Sequence, residues 1–254
     1  MDGRAPRMNE PGASRLRGLA RWLGLPDAAV RLEGEVVVVS PHLDDAVLSL
    51  GGAISHASRT GARVRVLTVF AGDPASEAAA GPWDERPGFR TAGEAARARR
   101  EEDRRACAIL GAEPVWLPYP DHQYERNLEP AAIRAEIVEL VGDAAIYVPG
   151  FPLGHEDHAW LTQLLEDAFE PRQVGFYVEQ PYFLWTSETS TASPGGNRWE
   201  RAAADAYDRV RKLRACRAYG SQLAFLGSGL MRGISRREAR IGGELVSRPR
   251  DGRR

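Results

Sequence analysis

Lysine is almost missing from this chain. Lys212 is its one lysine, so nearly all of the 34 basic residues are arginine. A signalling receiver domain pairs acids after its first strand with a lysine at the edge of a later strand. Here the lone lysine falls in a late helical pattern, and 254 residues is about twice the expected size. Cysteine is equally sparse. Cys107 and Cys216 can support neither a disulfide framework nor a cysteine-based zinc site. Cys107 sits in a helical apolar pattern and reads as a buried thiol. Long apolar runs are absent too. No stretch approaches the roughly 20 residues needed to span a bilayer, and residues 1–17 are polar and arginine-studded, unlike a secretory signal. Excess charge of either sign is also lacking. The net charge of −1 gives no bulk electrostatic case for nucleic acid, and none is expected as a partner. These absences predict a soluble, cytoplasmic protein without a membrane span.

What remains is ordinary globular composition, 43% hydrophobic and 27% charged, enough for one α/β domain with a full core. Residues 1–14 read as a flexible arm, and Leu16, Leu19, Ala20 and Leu23 as a short amphipathic helix. The expected division is an arm and helix over 1–33, a catalytic domain over 34–230 and a basic, solvated tail over 231–254. Strands are predicted at 35–39, 63–70, 115–117, 145–148 and 175–179. Helices are predicted at 45–58, 94–110 (closed by Gly111), 129–141, 157–169 and 199–219. Residues 72–93 and 184–197 read as loops. The β-α-β-α alternation argues for a three-layer, Rossmann-like fold with a mostly parallel sheet and a site at the C-terminal edge of its strands.

Two polar clusters follow predicted strands. The run Val36–Val39 delivers Pro41-His42-Leu43-Asp44-Asp45, and the run 145–148 delivers His155-Glu156-Asp157-His158. His42 and Asp45 are three apart, as are His155 and His158, a spacing that converges where a helix begins. Asp44 or Asp45 can also serve as a mere helix cap. His42, Asp45 and His158 would make a two-histidine, one-carboxylate metal set with positions left for water, suited to zinc or to non-haem iron. Asp44 then stands where a general base belongs, and His155, if not a ligand, can donate a proton or steady an oxyanion. The remaining histidines are His56, read as helical surface, and His122. Glu102 lies on an otherwise apolar stripe with Ala98, Ala106 and Leu110, so it needs either an arginine partner or a role in a pocket. Asp121 follows a strand and can reach the ligand edge. Trp83, Tyr124 and Trp185 are candidates for packing or for stacking on a sugar.

The paired motifs resemble the signature of PIG-L/LmbE-like zinc-dependent N-deacetylases. The resemblance extends through Arg99-Arg100-Glu101-Glu102 with Leu110-Gly111, through Leu117-Pro118-Tyr119-Pro120-Asp121, and through Tyr219-Gly220-Ser221-Gln222. It implies Zn2+ on His42, Asp45 and His158, Asp44 as general base and His155 stabilising the tetrahedral intermediate. It places Asp157 beside them, orienting a histidine, and makes Arg99, Glu102 and Asp121 candidate substrate contacts. The activity implied is hydrolysis of the amide of an N-acetylglucosamine-containing or related small-molecule glycoconjugate. A thiol-conjugate or antibiotic-precursor amide is the alternative substrate. Leu43 and Glu156 stand where the family usually carries proline. An iron oxygenase, normally built on a β-barrel, and a catalytically silent metal-binding relative are the competing classes.

Overall fold

The computed structural model describes residues 29–187, 193–227, 229–241 and 243–249. The predicted arm, the helix around Leu16–Leu23 and part of the 184–197 loop lie outside the described residues.

Seven strands form one sheet: β1 (Glu35–Ser40), β2 (Arg63–Thr68), β3 (Glu113–Trp116), β4 (Ala145–Phe151), β5 (Val174–Val178), β6 (Glu200–Arg201) and β7 (Leu245–Ser247). Their order is β3-β2-β1-β4-β5-β7-β6. The first five are parallel, and β7 runs antiparallel to both of its neighbours, β5 and β6. The β-branched run of β1 is buried on both faces, as a central parallel strand requires. Val36 and Val38 enter one hydrophobic cluster, while Val37 and Val39 enter the other.

Helices cover both faces, which gives the three layers. On one side lie α1 (Asp45–Arg59), α3 (Ala92–Leu110), α7 (Ala206–Cys216) and α9 (Leu230–Ile241); on the other lie α4 (Pro130–Val141) and α5 (Glu156–Glu166). Three short helices complete the set: α2 (Pro82–Glu85), α6 (Tyr182–Trp185) and α8 (Gly220–Leu226). Helix α3 starts at Thr91, whose side chain accepts from Glu94 N at 3.1 Å, and stops at Gly111 in the left-handed conformation (φ 80°). The strand order reverses between β1 and β4, which diverge to opposite neighbours beyond their shared ladder. A crevice opens there at the strands' C-terminal ends.

Four expectations are corrected. The helix predicted over 199–219 begins only at Ala206, where Asp205 and Asp208 form a reciprocal capping box. Residues 200–201 before it pair with β7. The solvated tail is, as far as the described residues go, α9 and β7. Leu230 and Ile234, four apart, bury one face of α9 among its arginines, and Val246 is buried in the sheet. The arm's last residues, Val30 and Leu32, already belong to the core. His56 is half-buried, not surface: its Nδ1 lies 3.0 Å from Asp208 Oδ2.

Helix α1 carries a break at Leu50 (φ −123°, ψ 15°). The freed amides of Gly52 and Ala53 donate to Glu244 at 2.8 and 2.7 Å, and Lys212 Nζ reaches the same carboxylate at 2.7 Å. Gly51 faces Lys212 so closely that a Cβ would lie 2.8 Å from its Cγ. The C-terminal segment thus fixes the helix that carries the first polar cluster.

Candidate metal centre

The turn after β1 is set by Ser40, which donates to His42 O (2.6 Å) and accepts from Ala46 N (3.0 Å). One hydroxyl therefore closes the turn and starts α1. Asp45, in the first turn of α1, accepts from His42 N at 2.8 Å. The second cluster follows β4. His155 caps α5, its Nδ1 accepting from Asp157 N at 3.2 Å, and one turn on His158 is fully buried. Leu153, just before, holds a left-handed backbone (φ 56°) that costs a non-glycine residue ~1–2 kcal/mol. Glu179 secures it by accepting from Leu153 N at 2.9 Å.

The crevice brings both clusters together. His42 Nδ1, Asp45 Oδ2 and His158 Nε2 stand 3.2–3.3 Å apart in all three pairings. Bonds of ~2.0–2.1 Å to a tetrahedral zinc place ligand atoms roughly 3.3 Å from one another, so this triangle fits one face of such a site. The far nitrogen of each ring is held by a carboxylate. His42 Nε2 lies 3.0 Å from Asp157 Oδ2, and His158 Nδ1 contacts Glu179 Oε1. These contacts leave the inward nitrogens free to bind a cation, the arrangement of carboxylate-oriented histidine ligands.

Charge follows the same geometry. Burial lowers the pKa of His42, but hydrogen bonds to Asp157 and Asp45 outweigh it and raise the value to about 9. Burial likewise disfavours charge on His158, yet Asp45 and Glu179 hold its pKa well above the usual histidine range. Asp45 is held well below the usual carboxylate range, the pull of His158 and His42 overcoming its burial. Asp44 differs from its neighbour. Burial, then the charge of Asp45, push its carboxyl well above the ordinary range. Among the described residues no hydrogen-bond donor reaches its side chain. His155 is lowered to about 4 by burial and then by the nearby charges of His42 and His158. It is therefore neutral at pH 7. With Nδ1 accepting, its proton sits on Nε2.

Asp157 is buried and turned to His42 and to Arg126, whose Nη2 lies 2.5 Å from Oδ1, so it positions a histidine and does not face the crevice. Arg99 is also buried and ion-paired with Asp84 at 2.5 Å. It lines a cleft of about 210 Å³ beside Leu43 and Phe70, and Asp121 lines the same cleft. Glu102 departs from the expectation of an arginine partner. It is half-buried and accepts from Ser221 N (2.9 Å) and Oγ (2.7 Å) at the start of α8, away from the cleft lining. The buried acid of α3 is Asp103, which accepts from Tyr219 and Trp116. Trp83 packs, donating to Gln222 (2.9 Å), and Tyr124 donates to Asp84. Trp185 is 56% exposed, edge-on to Tyr182, whose ring packs on His158.

Glu179, Arg126, His122 and Asp84 escaped the sequence reading. Glu179 had a usable signal, an acid at the exit of an apolar strand, the same pattern as both clusters. His122 and Arg126 sit in a loop and Asp84 in the four-residue helix α2, too short to show a periodicity.

The family model PIG-L, GlcNAc-PI de-N-acetylase, matches residues 37–169. A Mycobacterium sp. (strain KMS) protein, 1D-myo-inositol 2-acetamido-2-deoxy-alpha-D-glucopyranoside deacetylase, is 28% identical over 178 residues, 59% of this chain and 54% of that protein. The chain thus spans about half the length of the curated relatives it matches. Among solved structures, the A40926 pseudoaglycone deacetylase Dbv21 is similar with a TM-score of 0.68 and 27% identity over 85% of this chain and 98% of its own. The zinc-inhibited form of teicoplanin deacetylase Orf2 gives 0.71 at 22% identity over 84% and 97%, a likeness of fold. Since the family model runs from the first strand through both polar clusters, this chain belongs to the PIG-L family.

Proposed function

We propose that this protein is a metal-dependent N-deacetylase that hydrolyses the acetamide of an amino-sugar glycoconjugate, with His42, Asp45 and His158 as zinc ligands. The observation that carries the reading is the ligand triangle, three inward atoms 3.2–3.3 Å apart with both rings gripped from behind by carboxylates. Zinc held there supplies Lewis acidity, polarising the amide carbonyl and lowering the pKa of water. Asp44 accepts the proton of the attacking water. The same group returns the proton to the departing amine. Neutral His155 donates its Nε2–H to the carbonyl oxygen as that oxygen gains charge.

The cleft suggests the rest of the substrate. Its described lining carries four acids, Asp73, Asp84, Asp121 and Glu125, against one base, Arg99. Arg99 Nε is buried and finds no hydrogen-bond partner among the described residues. Sugar hydroxyls can donate to these carboxylates and accept from the guanidinium, whereas a phosphate or carboxylate substituent would meet net repulsion. The names of the Mycobacterium relative and the glycopeptide deacetylases point to amino-sugar amides as well.

The test is amine release from N-acetylglucosaminides with wild type and Asp44→Ala, alongside metal content. The expected result is about one zinc per chain in both, with turnover lowered ~10²–10⁴-fold in the variant. Undiminished turnover in Asp44→Ala, or activity without metal, overturns the reading.

A further inference from the structure

The net charge of −1 conceals a division between the two helical layers. On α4 and α5, Glu139, Glu156 and Glu166 are exposed, and the one arginine, Arg134, is half-buried and donates to Asp167 O at 2.6 Å. The opposite layer is basic on its outside. Arg214 and Arg217 on α7 and its C-cap, and Arg232, Arg236 and Arg240 along α9, are all exposed. None of the five has an ion-pair or hydrogen-bond partner among the described residues. The acids of these two helices are spent inwards. Asp208 is buried against Arg59 and His56, and Glu238 pairs with Lys212. The Lys212–Glu238 pair also joins α7 to α9, so their outer faces lie side by side.

Apolar surface gathers on the same layer. Spacings of three, four and three residues put Tyr207, Val210, Arg214 and Arg217 on one line of α7. Tyr207 is 61% exposed and Val210 55%. At the other margin α6 packs on α9. A Cβ on Gly233 would lie 2.7 Å from Leu184 Cδ2, and the Arg237 guanidinium stands 4.2 Å from the centre of the Phe183 ring. These contacts leave Trp185 on the outside. Three of the four exposed large apolar side chains among the described residues thus share a layer with five unpaired arginines; the fourth, Val138, is on α4.

We propose that the outer face of α7 and α9, with Trp185 at its margin, docks on the surface of an anionic lipid bilayer. A bilayer interface takes both halves of this surface at once. Its headgroup phosphates attract the guanidinium groups, and its acyl boundary accepts aromatic and aliphatic side chains. Nucleic acid takes only the first half, since a phosphate backbone offers Val210 nothing. The acidic layer faces away from the lipid, so the division of charge orients the molecule as well as attracting it. One ring, Tyr182, separates Trp185 from His158. The docked margin is therefore also a rim of the crevice. The docking does not depend on the chemistry proposed for that site.

The experiment is co-sedimentation of the full chain with vesicles of phosphatidylcholine alone and of phosphatidylcholine mixed with phosphatidylglycerol, in low and high salt. The expected result is binding to the anionic vesicles only, weakened by salt. Each arginine near such a surface contributes a factor of about 5, so Arg232→Gln, Arg236→Gln and Arg240→Gln together should weaken binding ~100-fold. Arg214→Gln with Arg217→Gln, on the neighbouring helix, should weaken it ~25-fold without touching α9. Circular dichroism and Tm show that each variant is folded. Brominated lipid should quench the tryptophan emission of wild type more than that of Trp185→Phe. No binding to anionic vesicles in low salt, or equal binding by wild type and both folded variants, overturns the inference. Binding of a DNA duplex through the same arginines without affinity for vesicles also overturns it and gives the face to nucleic acid. Quenching that is the same in Trp185→Phe overturns the placement of the crevice rim at the lipid.

Discussion

His42 and His158 face each other across 3.2 Å, Nδ1 to Nε2, and each is held on its far side by an acid: Asp157 behind one, Glu179 behind the other. Neither acid has a free oxygen pointing at the crevice centre. Asp157 spends its second oxygen on Arg126, and Glu179 spends its own on Leu153 N. Such partners fix which ring nitrogen is presented, and removing one typically costs ~10–100-fold in metal affinity. Glu179→Gln should therefore weaken zinc by about that factor while leaving all three ligands in place, measured by competition with a chelating dye. Unchanged affinity would mean that packing alone orients His158.

Zinc must compete with a proton for the metal-free site at neutral pH. His42 has a pKa of about 9, above the ~6.5 of an unfolded histidine, so its Nδ1 must lose a proton before it can bind a cation. Zinc affinity should climb with pH up to about 9, and calorimetry in buffers of different ionisation heat should detect proton release. The stability of the metal-free chain runs the opposite way. A raised pKa contributes fully below about 6.5 and is lost as pH rises through about 9. His155 works in reverse. Its pKa of about 4 makes its contribution full above about 6.5 and lost as pH falls through about 4. The metal-free chain should thus lose thermal stability towards both limits, and His155→Gln should flatten only the acid side.

The legible part of this molecule was local. Val36–Val39 and the motif that follows span ten residues, and the 145–148 run with His155 and His158 spans fourteen. Periodicity and residue type were enough to place both at strand exits. Topology then did what spacing could not, bringing the clusters together where the sheet order turns at β1 and β4. What stayed hidden depends on partners far apart in sequence. Glu244 accepts from Gly52 N across 192 residues, and no pattern near either one announces the pair. The arginine-rich stretch around α9 was misjudged because composition spoke for solvent while Leu230 and Ile234, four apart, turned one face inward. Glu102 was misjudged for a similar reason. An acid on an apolar stripe asks for a partner, but a backbone amide at a helix start serves as well as an arginine.

Asp84 should tune which substrates the cleft accepts. It comes from the 72–93 loop, whose helix α2 is tied down by Trp83 to Gln222 and by Gly81 N to Tyr124 Oη at 3.1 Å. Its carboxylate offsets Arg99 and helps make the cleft acidic. Asp84→Asn removes one negative charge and keeps the shape. KM for a neutral N-acetylglucosaminide should change little, while KM for a 6-phosphorylated analogue should fall severalfold. The comparison is a ratio of the two KM values in wild type and variant. A ratio that does not move would mean that the sugar substituents lie outside this cleft.

Lys212 offers a stability test remote from the crevice. Its ammonium is buried and reaches Glu244 Oε1 at 2.7 Å as well as Glu238 Oε1. Glu244 in turn holds the amides freed at the break in α1. Lys212→Met removes the cation and leaves two acids facing each other with little solvent, a change that costs ~3–5 kcal/mol when one partner of a buried ion pair is lost. The urea midpoint should drop accordingly. Glu238→Gln on the same background should restore part of the loss, because it removes one of the stranded charges and leaves Glu244 to cap the amides. The double variant would be the less stable of the two only if Glu238 were itself essential for packing α9. The relative order of the two midpoints therefore separates charge from packing.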